Sequence, residues 1–128
     1  MRQEVYSKRL QLNGEESRDT LRAANNYAMS LIHLQRFKEA KSVLHKMTPL
    51  ARRIRGENDY LTLHMRRNYA RTLYNDDDAT LDDLNEAVTT LEETERTARR
   101  VLSSAHPLTA WVESNLRYAR AALKARKE

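Results

Sequence analysis

The stretch RGENDYLTL, residues 55–63, separates two segments in which apolar residues recur at helical spacing. Similar stretches occur at 13–21, NGEESRDTL, and at 102–110, LSSAHPLTA. In each stretch a small residue precedes a threonine by six positions, the pairs being Gly14 and Thr20, Gly56 and Thr62, and Ser103 and Thr109. A connection that only closes a bend has no reason to recur in this form, so these stretches indicate a repeat.

More than the turn recurs. The threonines are 42 and then 47 residues apart, and an asparagine follows each of them by six positions, at Asn26, Asn68 and Asn115. The five extra residues fall around NDDDA at 75–79, because FKEAKSVL at 37–44 matches LNEAVTTL at 84–91. A period of this length is typical of arrays of stacked helices.

The composition favours a helical globular domain. The chain has 128 residues, of which 40% are hydrophobic and 32% charged, with only two glycines and two prolines. It has no cysteine, which excludes a disulfide framework. No apolar run approaches the roughly 18 residues that would span a bilayer, and the start, MRQEVYSKRLQL, lacks the apolar middle of a signal peptide. We expect a cytoplasmic protein without a membrane segment.

The apolar periodicity predicts six helices, near 2–12, 18–34, 36–55, 60–74, 80–102 and 107–126. The three threonines and Asp19 are expected to be N-caps, and Gly14 and Gly56 to end helices. Pro107 suits the first position of a helix, where its missing N–H costs nothing. The first apolar face is expected to run from Leu21 to Leu34. Alanines should lie where helices approach closely, at Ala28, Ala40, Ala70 and Ala87.

The recurring residues carry a resemblance. They are Leu12, Gly14, Thr20, Leu21, Asn26 and Ala28 in the first unit, Ile54, Gly56, Thr62, Leu63, Asn68 and Ala70 in the second, and Arg100, Val101, Leu102, His106, Pro107, Thr109, Asn115 and Leu116 in the third. This pattern resembles the kinesin-light-chain type of tetratricopeptide repeat. The His-Pro pair is complete only at 106–107, and Arg117 replaces a small residue. A HEAT or armadillo array has a similar period but does not explain the repeated turn or the asparagine.

The resemblance implies an all-α, right-handed α-solenoid of antiparallel helix pairs with about six helices. The single domain, 1–128, would comprise a half repeat (1–14), a repeat (15–56), a repeat with an acidic insertion near 75–79 (57–103) and a half repeat (104–128). Such a chain would be a scaffold or assembly subunit. Uncapped terminal helices, the first carrying Val5, Leu10 and Leu12, would favour self-association.

Charge is segregated along the chain. The net charge is +5 and the pI near 9.7, yet residues 76–95 hold nine acidic residues and no Lys or Arg. This pattern indicates surfaces with different partners. A basic helical protein that binds nucleic acid is the alternative function. It would require Lys and Arg on one continuous face, with the acidic helix pointing away.

The sequence offers little chemistry for catalysis. Its four histidines show no H-x-x-x-H spacing, so no metal site is expected. The Asp-rich run 75–86 fails as a calcium loop because Ala79 and Thr80 occupy positions that need a ligand and a glycine. Two separated glycines cannot form a phosphate loop. We therefore expect a non-enzymatic protein without a cofactor.

The resemblance also implies where a partner binds, because the first helix of each pair lines the concave side of such an array. The predicted peptide-binding groove comprises Arg22, Asn25, Asn26, Met29, His33, His64, Arg67, Asn68, Arg71, Tyr74, Trp111, Ser114, Asn115 and Tyr118. Asparagine can bond to a peptide backbone, arginine can clamp a carboxylate and aromatic side chains can anchor. The expected partner is a peptide segment of another protein, in particular an acidic one. The asparagines have a second interpretation, as ties between neighbouring helices.

Overall fold

A computed structural model describes residues 18–128, which form five α-helices and no β-strand. The helices are α1 Arg18–His33, α2 Phe37–Arg55, α3 Tyr60–Asn75, α4 Leu81–Val101 and α5 Pro107–Lys127. The prediction of an all-α fold is confirmed, and the five helices match the predicted bounds to within one residue. The predicted helix at 2–12, with Gly14 and the N-terminal half repeat, lies outside the described residues.

The helices pack in an alternating pattern. Each helix contacts the next along the chain, and in addition α1 contacts α3 and α3 contacts α5. The backbones of α2 and α4 do not contact each other, although Lys41 of α2 reaches Asp83 of α4 with an ion pair of 3.6 Å. Helices α1, α3 and α5 therefore form one layer, while α2 and α4 lie apart on the other side of α3.

Buried alanines allow the helices to approach closely. Ala28, Ala40, Ala70 and Ala87 are all fully buried in the core, as the sequence predicts. The prediction for Leu34 is wrong, because α1 ends at His33 and the Leu34 side chain, in the following turn, is 65% exposed. The apolar periodicity of the sequence extends one residue past the end of α1, and there the direction of the side chain no longer follows the helical repeat.

The recurrent threonines are buried inside the helices and are not N-caps, so that prediction is wrong. Asp59 caps α3 by accepting a hydrogen bond from the Leu61 N–H, and His106 caps α5 through Nδ1. Each threonine lies three residues further on, inside the first turn, where its hydroxyl points back to the preceding segment. Thr62 donates to the Ala51 carbonyl at 3.3 Å, and Thr109 donates to the Ser103 carbonyl at 2.8 Å. Thr20 and Asp19 likewise lie within α1.

The small residue six positions earlier reverses the chain. Gly56 has a φ of 91° and Ser103 a φ of 98°, the left-handed region that side chains larger than glycine rarely adopt. The Gly56 N–H donates to the Arg52 carbonyl and so closes the end of α2. In the copies at 55–63 and 102–110 the stretch thus has one design: a left-handed residue ends a helix, a polar residue caps the next, and a threonine ties the two together.

Candidate functional site

The predicted groove residues all lie on α1, α3 and α5, the three helices of one layer, and we call this surface the α1/α3/α5 face. Their exposure differs. Exposed are Arg22, His33, Trp111 and Tyr118; partly buried are Asn26, Met29, His64, Arg67, Arg71, Tyr74 and Ser114; buried are Asn25, Asn68 and Asn115. The structure therefore divides the set into an outer layer that a partner can reach and an inner layer that supports it.

Asn68 belongs to the inner layer. It is fully buried, and its Nδ2 donates to the Asn25 Oδ1 at 2.9 Å, which links α3 to α1. Its Oδ1 accepts a hydrogen bond of 3.1 Å from Arg71 Nη1. The sequence aligns Asn68 with Asn26, but Asn25 makes the contact, because the inward-facing position of α1 is one residue earlier. The Asn68 amide is thus a tie between helices and holds the Arg71 guanidinium in place.

Asn115 repeats this arrangement between α3 and α5. Its Nδ2 donates to the Tyr74 hydroxyl at 2.8 Å, and its Oδ1 accepts a hydrogen bond of 2.6 Å from Arg67 Nε. Burial raises the pKa of the Tyr74 hydroxyl. The two buried asparagines thus each orient one arginine, and the arginines are what the α1/α3/α5 face presents.

The Arg67 guanidinium is unusual because it is partly buried without a carboxylate. Its central carbon lies 5.3 Å from the centre of the Trp111 ring, a cation–π contact. Burial, followed by the nearby Arg71, lowers the pKa of Arg67 to about 10. It remains a cation at neutral pH, yet it makes no ion pair with any residue of the range 18–128. A desolvated cation without a counter-charge favours an anionic ligand.

The Trp111 ring belongs to a group of four rings in contact with one another at the N-terminal ends of α3 and α5, and we call them the aromatic cluster: Tyr60, His64, His106 and Trp111. Ring centres are 4.9 Å apart for Tyr60 and His64 and 6.0 Å for His64 and Trp111. Burial, then Arg67 and His106, lower the pKa of His64 to about 4, so His64 is neutral at pH 7. The cluster therefore adds a partly exposed aromatic surface beside the cation.

Two acidic residues of the 76–95 segment form ion pairs away from this face. Asp78 pairs with Lys38 of α2 at 2.7 Å, and Glu93 pairs with Arg66 of α3 at 2.8 Å. Arg66 and its neighbour Arg67 project from different sides of α3, because successive residues are about 100° apart around a helix. The segregated charge in the sequence therefore leaves the α1/α3/α5 face positive, through Arg22, Arg67 and Arg71.

A cleft on the far side of α3 was not predicted. It has a volume of about 460 Å³ and lies between α2 and α4. A sequence pattern is compatible with it, since both helices line it with residues at spacing i, i+1, i+4, i+5 and i+8, from Leu44 and from Asn85. That pattern alone does not reveal a cleft, because a cleft forms only where a third helix holds two others apart.

Two other features were sought in residues 18–128. Within that range no group of three or more His, Asp or Glu side chains is placed to hold a metal ion, and no helix is long and apolar enough to cross a membrane. Comparisons with protein-family models, with curated proteins and with solved structures give no match. The similarity to tetratricopeptide repeats therefore depends on the recurring residues themselves.

Proposed function

We propose that this chain is a protein-interaction module of the tetratricopeptide-repeat type, an α-solenoid whose α1/α3/α5 face binds an acidic peptide segment. The packing pattern supports the architecture. In an array of antiparallel helix pairs that curves, the first helices lie together on the inner side and the second helices spread apart on the outer side. Helix α3 contacts both α1 and α5, whereas the backbones of α2 and α4 do not touch.

One observation carries the proposed ligand: Arg67 is partly buried beside Arg71 and has no acidic partner in the described part of the chain. A peptide carboxylate placed there would receive charge-assisted hydrogen bonds, which are stronger than neutral ones. It would also stabilise the charged form of Arg67, which burial and the neighbouring Arg71 destabilise. A neutral or basic peptide could do neither.

The exposed aromatic side chains set the second property of the ligand. Trp111 is 45% exposed and Tyr118 is 63% exposed, seven residues apart on α5 and therefore on one side of that helix. Large aromatic side chains that become buried on binding supply much of the contact energy of peptide recognition. An acidic segment that also carries an aromatic or large aliphatic side chain fits this face best.

The experiment uses Trp111 as the reporter, because it is the only tryptophan in the sequence. An acidic peptide containing phenylalanine but no tryptophan is titrated into the protein, and Trp111 emission is followed. Arg71→Gln should weaken binding at least tenfold, because one hydrogen bond to a charged group contributes about 1.5–3 kcal/mol. A peptide of the same length with lysine in place of its acidic residues should not bind.

The matched control is Arg96→Gln. Arg96 is exposed on α4, outside the α1/α3/α5 face, and its replacement removes the same charge. Circular dichroism and melting temperature are recorded for both variants, because Arg71 also contacts the buried Asn68. If a folded Arg71→Gln protein binds as tightly as the unmodified one, or if Arg96→Gln weakens binding equally, the proposed site is wrong.

A further inference from the structure

The cleft between α2 and α4 is lined by His45, Thr48 and Pro49 on one wall and by Glu86 and Glu93 on the other, with Arg66 and Tyr69 as its floor. Arg66 and Tyr69 lie roughly opposite Arg67 and Arg71 around α3, given about 100° per residue. The cleft is therefore a surface separate from the α1/α3/α5 face, and no step of the proposed function uses it.

The cations of the cleft are already paired. Arg66 is nearly fully buried and holds Glu93 at 2.8 Å and Glu57 at 3.7 Å. Arg52 pairs with the same Glu57. The Tyr69 hydroxyl donates to Glu86 Oε2 at 2.9 Å, and burial, then that glutamate, raise the pKa of Tyr69. The charge of Arg66 is thus compensated, and the Tyr69 hydroxyl has donated its one proton.

Acceptors, in contrast, remain available. Glu86 and Glu93 each use one carboxylate oxygen in the hydrogen bonds given above, which leaves the second oxygen of each. The Thr48 hydroxyl is buried without a hydrogen-bond partner in the described part of the chain, and Thr48 is only 8% exposed. Pro49 has no N–H, so it donates nothing to the His45 carbonyl one turn earlier in α2.

One carboxylate of the cleft has no cation opposite it. Arg52 and Arg66 pair with Glu93 and with Glu57, which lies outside the cleft lining, whereas Glu86 makes no ion pair in the described part of the chain. Unused acceptors together with this unpaired carboxylate complement a ligand rich in donors. Lysine and arginine side chains have only donors, so a basic peptide matches this cleft chemically.

We propose that the α2/α4 cleft binds a basic segment of a partner protein in the polyproline II conformation, with two cationic side chains three residues apart on Glu86 and Glu93. The two glutamates are seven residues apart on α4, which places them about 10.5 Å apart along the helix axis. Polyproline II has three residues per turn, so residues three apart lie on the same side of the segment, separated by about 9 Å. The Thr48 hydroxyl and the His45 carbonyl then accept from donors of the same segment.

The test measures fluorescence anisotropy of labelled peptides that contain Arg-Ala-Ala-Arg, Arg-Arg-Ala-Ala or Glu-Ala-Ala-Glu. The first should bind more tightly than the second, and the third should not bind. Glu86→Gln should weaken the first peptide about fivefold, as expected for one partly exposed ion pair. Glutamine can still accept from Tyr69, so the fold should be kept. Glu95→Gln is the matched control, since it removes the same charge from α4 outside the cleft and should change nothing.

Two further measurements make the result decisive. Thr48→Val, which keeps the side-chain shape, should also weaken binding of the basic peptide. Trp111 emission should not respond to this peptide, because Trp111 is on α5. Equal effects of Glu86→Gln and Glu95→Gln, or no binding of the basic peptide, would overturn the proposal. So would sedimentation that shows a dimer dissociated by Glu86→Gln, because the occupant would then be a second copy of the chain.

Discussion

Lowering the pH should destabilise this protein through one residue of the aromatic cluster, His64. Burial, Arg67 and His106 lower its pKa from 6.5 to about 4. Between these values the unfolded chain binds a proton that the folded chain does not, so stability rises with pH across this window and is lost as pH falls through it. The two pKa values correspond to a loss of about 2.4 kcal/mol between pH 7 and pH 4.5. Because His64 is partly exposed, solvent screening reduces this to about 1 kcal/mol.

The variant His64→Phe isolates this effect. Phenylalanine keeps a ring against Tyr60 and Trp111 but cannot titrate. Between pH 7 and pH 4.5 the free energy of unfolding of the variant should therefore fall by about 1 kcal/mol less than that of the unmodified protein. Protonation of carboxylates destabilises both proteins alike and cancels in the comparison. Urea denaturation at pH 7 and pH 4.5 measures the difference. If both proteins lose the same stability, or if NMR titration gives His64 a pKa at or above 6.5, the account of this cluster is wrong.

Three stability predictions follow from the packing and the caps. Ala40→Leu should cost about 1–3 kcal/mol in thermal denaturation, because Ala40 is fully buried between close helices; a neutral effect would mean that the contact is not tight. Thr62→Val should cost about 1 kcal/mol by removing the tie to the Ala51 carbonyl, and equal stability by urea denaturation would deny that tie any role. Thr80→Ala should cost about 1 kcal/mol of stability, since Thr80 and Asp83 form a capping box at α4. Thermal denaturation followed by circular dichroism would show an unchanged melting temperature if the capping box did not contribute.

The helices of this chain were predictable because their determinants are local. Apolar spacing, the missing N–H of Pro107 and the left-handed turn at Gly56 all act within a few residues, and they placed five helices to within one residue. The small residue at each turn was recognised from its recurrence. The role of the threonines was not recognised, because a threonine at the N-cap and one three positions later differ only in which backbone group the side-chain oxygen contacts.

The α1/α3/α5 face was predictable in outline and not in its chemistry. Position along the repeat placed all the candidate residues on three helices, and the charge pattern suggested a positive surface. Local sequence does not show that Asn68 is fully buried and bonded to Asn25, or that Arg67 lies between Asn115 and Trp111. These contacts join residues more than 40 positions apart, so only the packing of whole helices decides them.

What the sequence by itself determined is therefore the number, limits and repeat of the described helices, together with the segregation of their charge. Only the tertiary structure decided which polar groups are paired and which are left over. The burial of Arg67 without a carboxylate and the unused acceptors between α2 and α4 both arise because α3 separates two helices on one side while joining two on the other. Periodicity describes one helix at a time, whereas a binding surface depends on the distances among several.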